Sequence, residues 1–243
     1  VSSRHLVLNT ASNTVTGVVG GYIADVTNVQ EVTFNLSGAL GESETGGTSI
    51  NIVPRTGGNR YTGNYSTTYT RQAWFDRNTS TYPTINAPNL IQYNYDVSFA
   101  YGGPLRRDRL WFYSVARSQG KEQTPGGGGI FYNLNAGKWG ANYQPDRTQG
   151  TVNYRNLWRN VNTRFTWQAT PGNKFNIFWD EQDSCQDPCD GTVASYWSTE
   201  SMWSVHTLPN RVAQVSWNNP RSNKLLFEGG LNIAMQHYTF AKH

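Results

Sequence analysis

Alternation of side-chain character at period two constrains this chain more than any other feature. Tyr93, Tyr95, Val97, Phe99 and Tyr101 alternate with Asn94, Asp96, Ser98 and Ala100. Val161, Thr163, Phe165, Trp167 and Ala169 alternate with Asn162, Arg164, Thr166 and Gln168. The set Phe175, Ile177 and Trp179 repeats the pattern, as does Leu225, Phe227, Leu231, Ile233 and Met235. Weaker versions run over residues 61–69, 110–117 and 211–217. Successive side chains of a β-strand point to opposite faces, so each stretch predicts a strand with one apolar and one polar face. About seven such strands follow residue 60, and no helical period competes. The expected fold is all-β.

Composition excludes several other classes. Charged residues are 15% of the 243, against roughly 25% in ordinary soluble domains, while aromatics reach 14%. A disordered chain is rich in charge and poor in aromatics, and a coiled coil needs Ala, Glu, Lys and Leu in quantity. The net charge is +4, with Arg106, Arg107 and Arg109 as the one tight basic cluster. A continuous basic face is absent from the sequence pattern, so nucleic acid is not an expected partner. No run approaches the roughly 18 apolar residues of a transmembrane helix. The first residues carry no charged-then-apolar signal segment, so the chain is expected to be a mature protein or a piece of a longer one. Cys185 and Cys189 flank Gln186-Asp187-Pro188. Half a zinc site would need a second pair, and no histidine is near. A small disulfide-closed loop is the expectation.

The alternation fits two architectures. In a soluble sandwich the apolar face points into the core, whereas in an outer-membrane barrel it points to lipid and the polar face lines the interior. Connection length separates them. Residues 102–108, 170–173 and 218–223 read as short turns rich in Gly, Pro and Asn. Residues 73–91, 118–152 and 181–203 read as long connections, far beyond an ordinary hairpin loop. Short and long alternate strictly, which matches a barrel with tight turns on one side of the membrane and extended loops on the other. A sandwich has no reason to segregate them.

The first sixty residues differ in kind. Val29-Gln30-Glu31-Val32-Thr33-Phe34 reads as one strand and Thr48 to Pro54 as another, with Gly41 to Gly47 between them as a loop. Val29 to Val32, then Gly46-Gly47-Thr48-Ser49-Ile50-Asn51-Ile52-Val53-Pro54-Arg55-Thr56-Gly57-Gly58-Asn59, resembles the end of the plug domain of TonB-dependent outer-membrane receptors, in particular their Oar-like branch. Tyr61-Thr62-Gly63-Asn64-Tyr65 is similar to that family's first barrel strand. Gly102-Gly103-Pro104-Leu105 and Asp108-Arg109-Leu110-Trp111-Phe112-Tyr113 are similar to its first periplasmic turn and third strand. The resemblance covers roughly residues 20–118. It implies the C-terminal part of a plug domain over 1–59 and the N-terminal portion of a transmembrane antiparallel β-barrel over 60–243. Family barrels have about twenty-two strands, and seven alone would leave two bare edges in lipid. The expectation is a fragment of a larger receptor in the bacterial outer membrane.

The resemblance also implies a function: binding a scarce solute outside and passing it inward at the expense of the inner-membrane proton gradient. Outer-membrane lipid, the TonB complex and a small-molecule, oligosaccharide or peptide ligand are the implied partners, and no cofactor is implied. Glu42, Glu44 and Arg55 are the expected polar plug–barrel contacts, with Gly57, Gly58 and Asn59 as the hinge. Loop aromatics that could stack on a ligand are Trp74, Tyr82, Trp139, Tyr143, Trp197 and Trp203. The acidic run 180–190 could hold calcium, but it lacks EF-hand spacing and reads as a solvated loop tip. Pro125-Gly126-Gly127-Gly128-Gly129 lacks the Lys-Ser/Thr of a phosphate loop, and no G-x-S-x-G elbow exists, so no enzyme is expected. Two other readings stand beside the receptor: a secreted β-sandwich that binds glycans, and a surface adhesin barrel without transport.

Overall fold

Seven strands hydrogen-bond into one antiparallel sheet, in the computed structural model, which describes residues 25, 29–35, 49–75, 89–126, 129–187, 200 and 203–242. A separate hairpin precedes it, formed by β1 (Val29–Asn35) and β2 (Ser49–Pro54). The sheet strands are β3 (Thr62–Arg71), β4 (Leu90–Arg106), β5 (Leu110–Thr124), β8 (Tyr154–Thr170), β9 (Asn173–Asp187), β10 (Trp203–Ser222) and β11 (Leu225–Lys242). A two-residue pair, β6 (Tyr132–Asn133) with β7 (Pro145–Asp146), sits in the β5–β8 connection. Spatial order is β11-β10-β9-β8-β5-β4-β3, so each large strand pairs with its neighbours in the chain. The sheet does not close on itself: β3 and β11 are its two edges.

The expected all-β class is what the chain adopts. Strand lengths differ from the expectation. β5 runs on to Thr124 and β9 reaches Asp187, so residues 118–124 and 181–187 are strand rather than loop. The reason lies in those extensions, where Gln119, Lys121 and Gln123 alternate with Ser118, Gly120 and Glu122 and leave no apolar contrast to read. Ladder hydrogen bonds continue regardless, because any backbone can make them. At the other end the turns are tighter than expected, spanning Arg107 to Arg109, Pro171 to Gly172 and Asn223 to Lys224. Pro104, Pro209 and Pro220 would interrupt a regular ladder, and each stands at or within a register irregularity of β4 or β10.

Register assigns the faces. Phe99 pairs with Tyr65 and Ala116, Ala116 with Val161, and Val161 with Glu181. Opposed residues in an antiparallel ladder share a face, so these lie on one side, here called the outer face. Tyr101, Val97, Phe165, Trp167, Phe175, Ile177, Trp179, Val215, Leu231 and Ile233 join them by the same pairing. Asn64, Ser66, Asp96, Ser98, Arg117, Asn160, Asn162, Arg164, Asp180, Gln182 and Gln214 fall on the other, inner face. The solvent pattern is the reverse of a soluble sandwich. Leu231 is 64% exposed, Val161 56% and Phe99 54%, whereas Asn160, Asp180 and Gln182 are each 1% exposed. A small buried apolar cluster of Ala100, Tyr113 and Val115 also lies on the inner face. No second sheet packs on the outer face among the described residues.

Candidate functional site

The inner face and its tight-turn rim meet the residues that precede β3 at two places, with a polar network of the sheet's own between them. The deeper is an ion cluster. Arg117 on β5 donates from Nε and Nη2 to the two oxygens of Asp96 on β4, at 2.9 and 2.6 Å, and from Nη1 to Asp25 Oδ1 at 2.8 Å. The planar guanidinium suits this fork, since it offers donors in fixed directions to two carboxylates at once. The Asp25 side chain is 2% exposed. Arg117 also lies 5.7 Å from the centroid of the Trp158 ring on β8.

Further along the inner face a polar network joins β8 to β9. Asn162 donates to Asn160 Oδ1 at 2.9 Å, and Asn160 donates to Asp180. The Trp158 indole donates to Gln182 Oε1 at 3.4 Å. Buried polar groups persist only when bonded in this way, because desolvation without a partner costs about 1–3 kcal/mol each.

The chain then leaves the hairpin across the sheet, strand by strand. Arg164 on β8 donates from Nη1 to the Pro54 carbonyl at 3.2 Å. Gly57 lies on the backbone of β5, so close that an added Cβ would collide with the Phe112 carbonyl. Asn59 grips the β4–β5 turn: its Nδ2 donates to Asp108 Oδ1 at 2.5 Å, and its Oδ1 accepts from Asp108 N at 2.9 Å and Trp111 Nε1 at 2.7 Å. Asp108 has φ 62°, a left-handed conformation in which Asp is among the better tolerated residues. Tyr61 donates from its hydroxyl to the Pro104 carbonyl at 2.9 Å and stacks on Tyr101, after which the chain enters β3.

The predicted site residues distribute unevenly over this geometry. Gly57 and Asn59 are at the crossing, whereas Gly58 has open space around it and takes no close contact. Arg55 donates to the Val29 carbonyl at 3.3 Å, within the hairpin rather than to the sheet. Glu42 and Glu44 lie outside the described residues. Sequence reasoning missed Asp25, Arg117, Asp96 and Arg164. Their one signal was a charge inside an otherwise uncharged polar face, as at Arg164 among Asn162, Thr166 and Gln168.

Among the loop aromatics, Trp139 is fully exposed. Tyr143 donates to the Phe131 carbonyl at 3.1 Å, and Trp74 packs edge-on against Tyr69. All three belong to connections at the end opposite the tight turns. No ring contact joins Trp74 to the other two among the described residues. Tyr82 and Trp197 lie outside those residues, and of Trp203 only the backbone, at the start of β10, lies within them.

Residues 180–187 of the acidic run are strand, not a loop tip. Asp180 points inward to Asn160, while Glu181 points outward, where Arg211 bonds both of its oxygens. Those two carboxylates, on opposite faces, cannot converge on one cation. Cys185, also on β9, is disulfide-bonded, and Cys189 is the only other cysteine in the chain. That pairing uses up the thiolate a zinc site would need. In the β5–β8 connection Asp146 accepts hydrogen bonds from the Thr148 hydroxyl and amide and from the Gln149 side chain. These hold its carboxyl below the usual carboxylate range, the Thr148 hydroxyl contributing most. No family model, curated protein or solved structure matches this chain.

Proposed function

We propose that residues 60–243 form part of the wall of a transmembrane β-barrel and residues 1–59 the end of a plug lodged against its interior, in an energised outer-membrane receptor. The observation that carries this reading is the inverted sheet: from β4 to β10 the aromatic and aliphatic face is the more open and the amide- and charge-bearing face is covered. Each large apolar side chain left in water forgoes roughly 1.5–3 kcal/mol of burial, so a face built of them is suited to an apolar phase. Its dimensions agree. On β8 the outer face is uncharged from Trp167 until Arg159, eight residues or about 27 Å at 3.4 Å each before strand tilt, against the roughly 25 Å of a membrane band. Trp167, Phe175 and Trp217 stand in one cross-strand row at the tight-turn end, as interfacial aromatics do. Charges return at the other end, where Arg211 pairs with Glu181 and covers the Trp179 ring at 4.8 Å.

In this reading β3 and β11 pair with strands beyond these seven, since a bare edge in lipid leaves backbone groups unsatisfied. The Arg117–Asp25 pair, the Arg164–Pro54 hydrogen bond and the Asn59 clasp hold the plug to the wall, and the energising partner has these polar contacts to break. No covalent bond changes in the cycle. The solute enters from the long-connection side, where Trp139 and Tyr143 stand exposed.

Two measurements on the full-length protein test it. Single thiols at Leu231 and Ser66, labelled with bimane in doxyl-lipid bilayers, should differ: strong quenching at Leu231→Cys, none at Ser66→Cys. Equal quenching at both sites would defeat the wall assignment. In planar bilayers the wild type should stay closed. Arg117→Ala, which strips a buried carboxylate of its cation at a cost of about 3 kcal/mol, should show intermittent conductance. A variant as silent as the wild type would remove the plug role.

A further inference from the structure

The tight-turn rim carries a charge that the outer face above it does not. Arg106, Arg107 and Arg109 stand on the β4–β5 turn, Lys174 just after the β8–β9 turn, and Arg221 and Lys224 around the β10–β11 turn. Arg60 adds a cation where the connector reaches the same rim. All seven are exposed. The acid among them is Asp108, and Asn59 already occupies its carboxylate. The next carboxylate along these strands, Glu228, is half-buried on the inner face. The rim surplus of six exceeds the net +4 of the whole chain, so the rest of the molecule is net negative. In the sequence Lys174, Arg221 and Lys224 lie far from the Arg106–Arg109 cluster; the hairpin topology gathers them, one turn every second strand, about 10 Å apart.

Immediately beside the cations the surface is apolar. Leu105, Trp167, Leu225 and Phe227 are all exposed within a few residues of them. A soluble acidic partner would use the charge and have no use for that apolar border. A lipid leaflet uses both, with phosphates at the cations and acyl chains against the leucines and rings. We propose that this rim is a basic collar that binds the phosphate groups of anionic phospholipids in the leaflet on the tight-turn side, which would fix the height and tilt of the sheet. This rests on the membrane-wall reading and adds to it a lipid class and a set of residues. Cations near an anionic surface act additively and are screened within about 10 Å at 0.1 M salt, so the preference should be steep and salt-sensitive.

The test uses the full-length protein and two nanodisc compositions, pure phosphatidylcholine and phosphatidylcholine with one third phosphatidylglycerol. Two readouts are taken: protease protection of the inserted protein, and the lipid that co-purifies after detergent exchange. The wild type should insert into both and retain the two lipids at a phosphatidylglycerol-to-phosphatidylcholine ratio about tenfold above that of the mixture, falling severalfold at 0.5 M salt. The variant Arg106→Gln/Arg107→Gln/Arg221→Gln/Lys224→Gln should insert into both but retain the two lipids in proportion. Insertion with no lipid preference in the wild type overturns the collar and leaves the wall intact. An unchanged preference in the variant overturns it too. Failure to insert into either disc overturns the wall, and the collar with it. Capture of soluble polyglutamate as strongly as phosphatidylglycerol discs would move the collar to an acidic protein partner and overturn the lipid assignment.

Discussion

The outer and inner faces of the sheet are made by the same strands, yet their side chains are satisfied in opposite ways. On the outer face Tyr65, Phe99, Val161, Ile177 and Leu231 touch little protein and stand exposed. Ser98 beside Phe99, Asn160 beside Val161 and Asp180 beside Trp179 are buried, and Asn160 and Asp180 bond each other across strands. Burial in a water-soluble sheet sorts the other way, because transfer of apolar surface out of water drives folding and bare polar groups resist it. The difference teaches that the order of the inner face comes from specific hydrogen bonds, while that of the outer face depends on the medium around it.

The sharpest way to break this comparison is one charge moved by one residue. In β11, Leu231→Arg places a guanidinium on the outer face, and Asn232→Arg places it on the inner. The first should destabilise the bilayer-inserted protein by about 2–4 kcal/mol, near the midplane value for arginine. The second should cost well under half of that, because its charge meets a polar surface. Denaturant titration of the full-length protein from liposomes reads both. Equal costs would mean that both faces meet the same medium, and the membrane assignment would go.

A smaller effect sharpens the inner face. Asn59→Ala deletes three hydrogen bonds at the β4–β5 turn, and Asp108 then holds its left-handed conformation unaided. The expected loss is about 1–2 kcal/mol in unfolding free energy, since the site is exposed and water replaces part of what is lost. Gly58→Val should be close to neutral, for no atom lies within 4 Å of its added Cβ, whereas Gly57→Val should disrupt the crossing. If Gly58→Val proved the more damaging of the two, the chain would not cross β5 where the Phe112 contact puts it.

These residues also show how far the sequence could be read. The strand cores from Tyr93 to Tyr101 and Val161 to Ala169 were legible, because tall apolar and short polar side chains contrast there. The far ends of β5 and β9 were not, since both faces are polar there and only backbone pairing defines them. Gly57 and Asn59 could be found as part of a local motif. The Asp25–Arg117 pair could not: the two are 92 positions apart, and nothing local at either residue names the other. Arg55 illustrates the converse, a charge in a legible motif whose hydrogen bond turned back into the hairpin.

The smallest effect is expected where neither face is involved, in the β5–β8 connection. Asp146 is held by Thr148 and Gln149, and its carboxyl is lowered by those bonds. A group with a lowered folded-state value contributes stability that is complete above the unfolded value, here 3.8, and is lost as pH falls through the lowered one. Amide protection at Thr148, whose N–H donates to Asp146 at 2.9 Å, should therefore be constant from pH 7 to about 5 and decline below 4. Asp146→Asn, which keeps an acceptor oxygen but does not titrate, should flatten that decline while lowering protection throughout. Protection that falls equally in both proteins would assign the transition to another carboxylate. A decline that also reached the amides of Asn160 and Gln182 would tie the connection to the inner face, since their buried network would then be loosening with it.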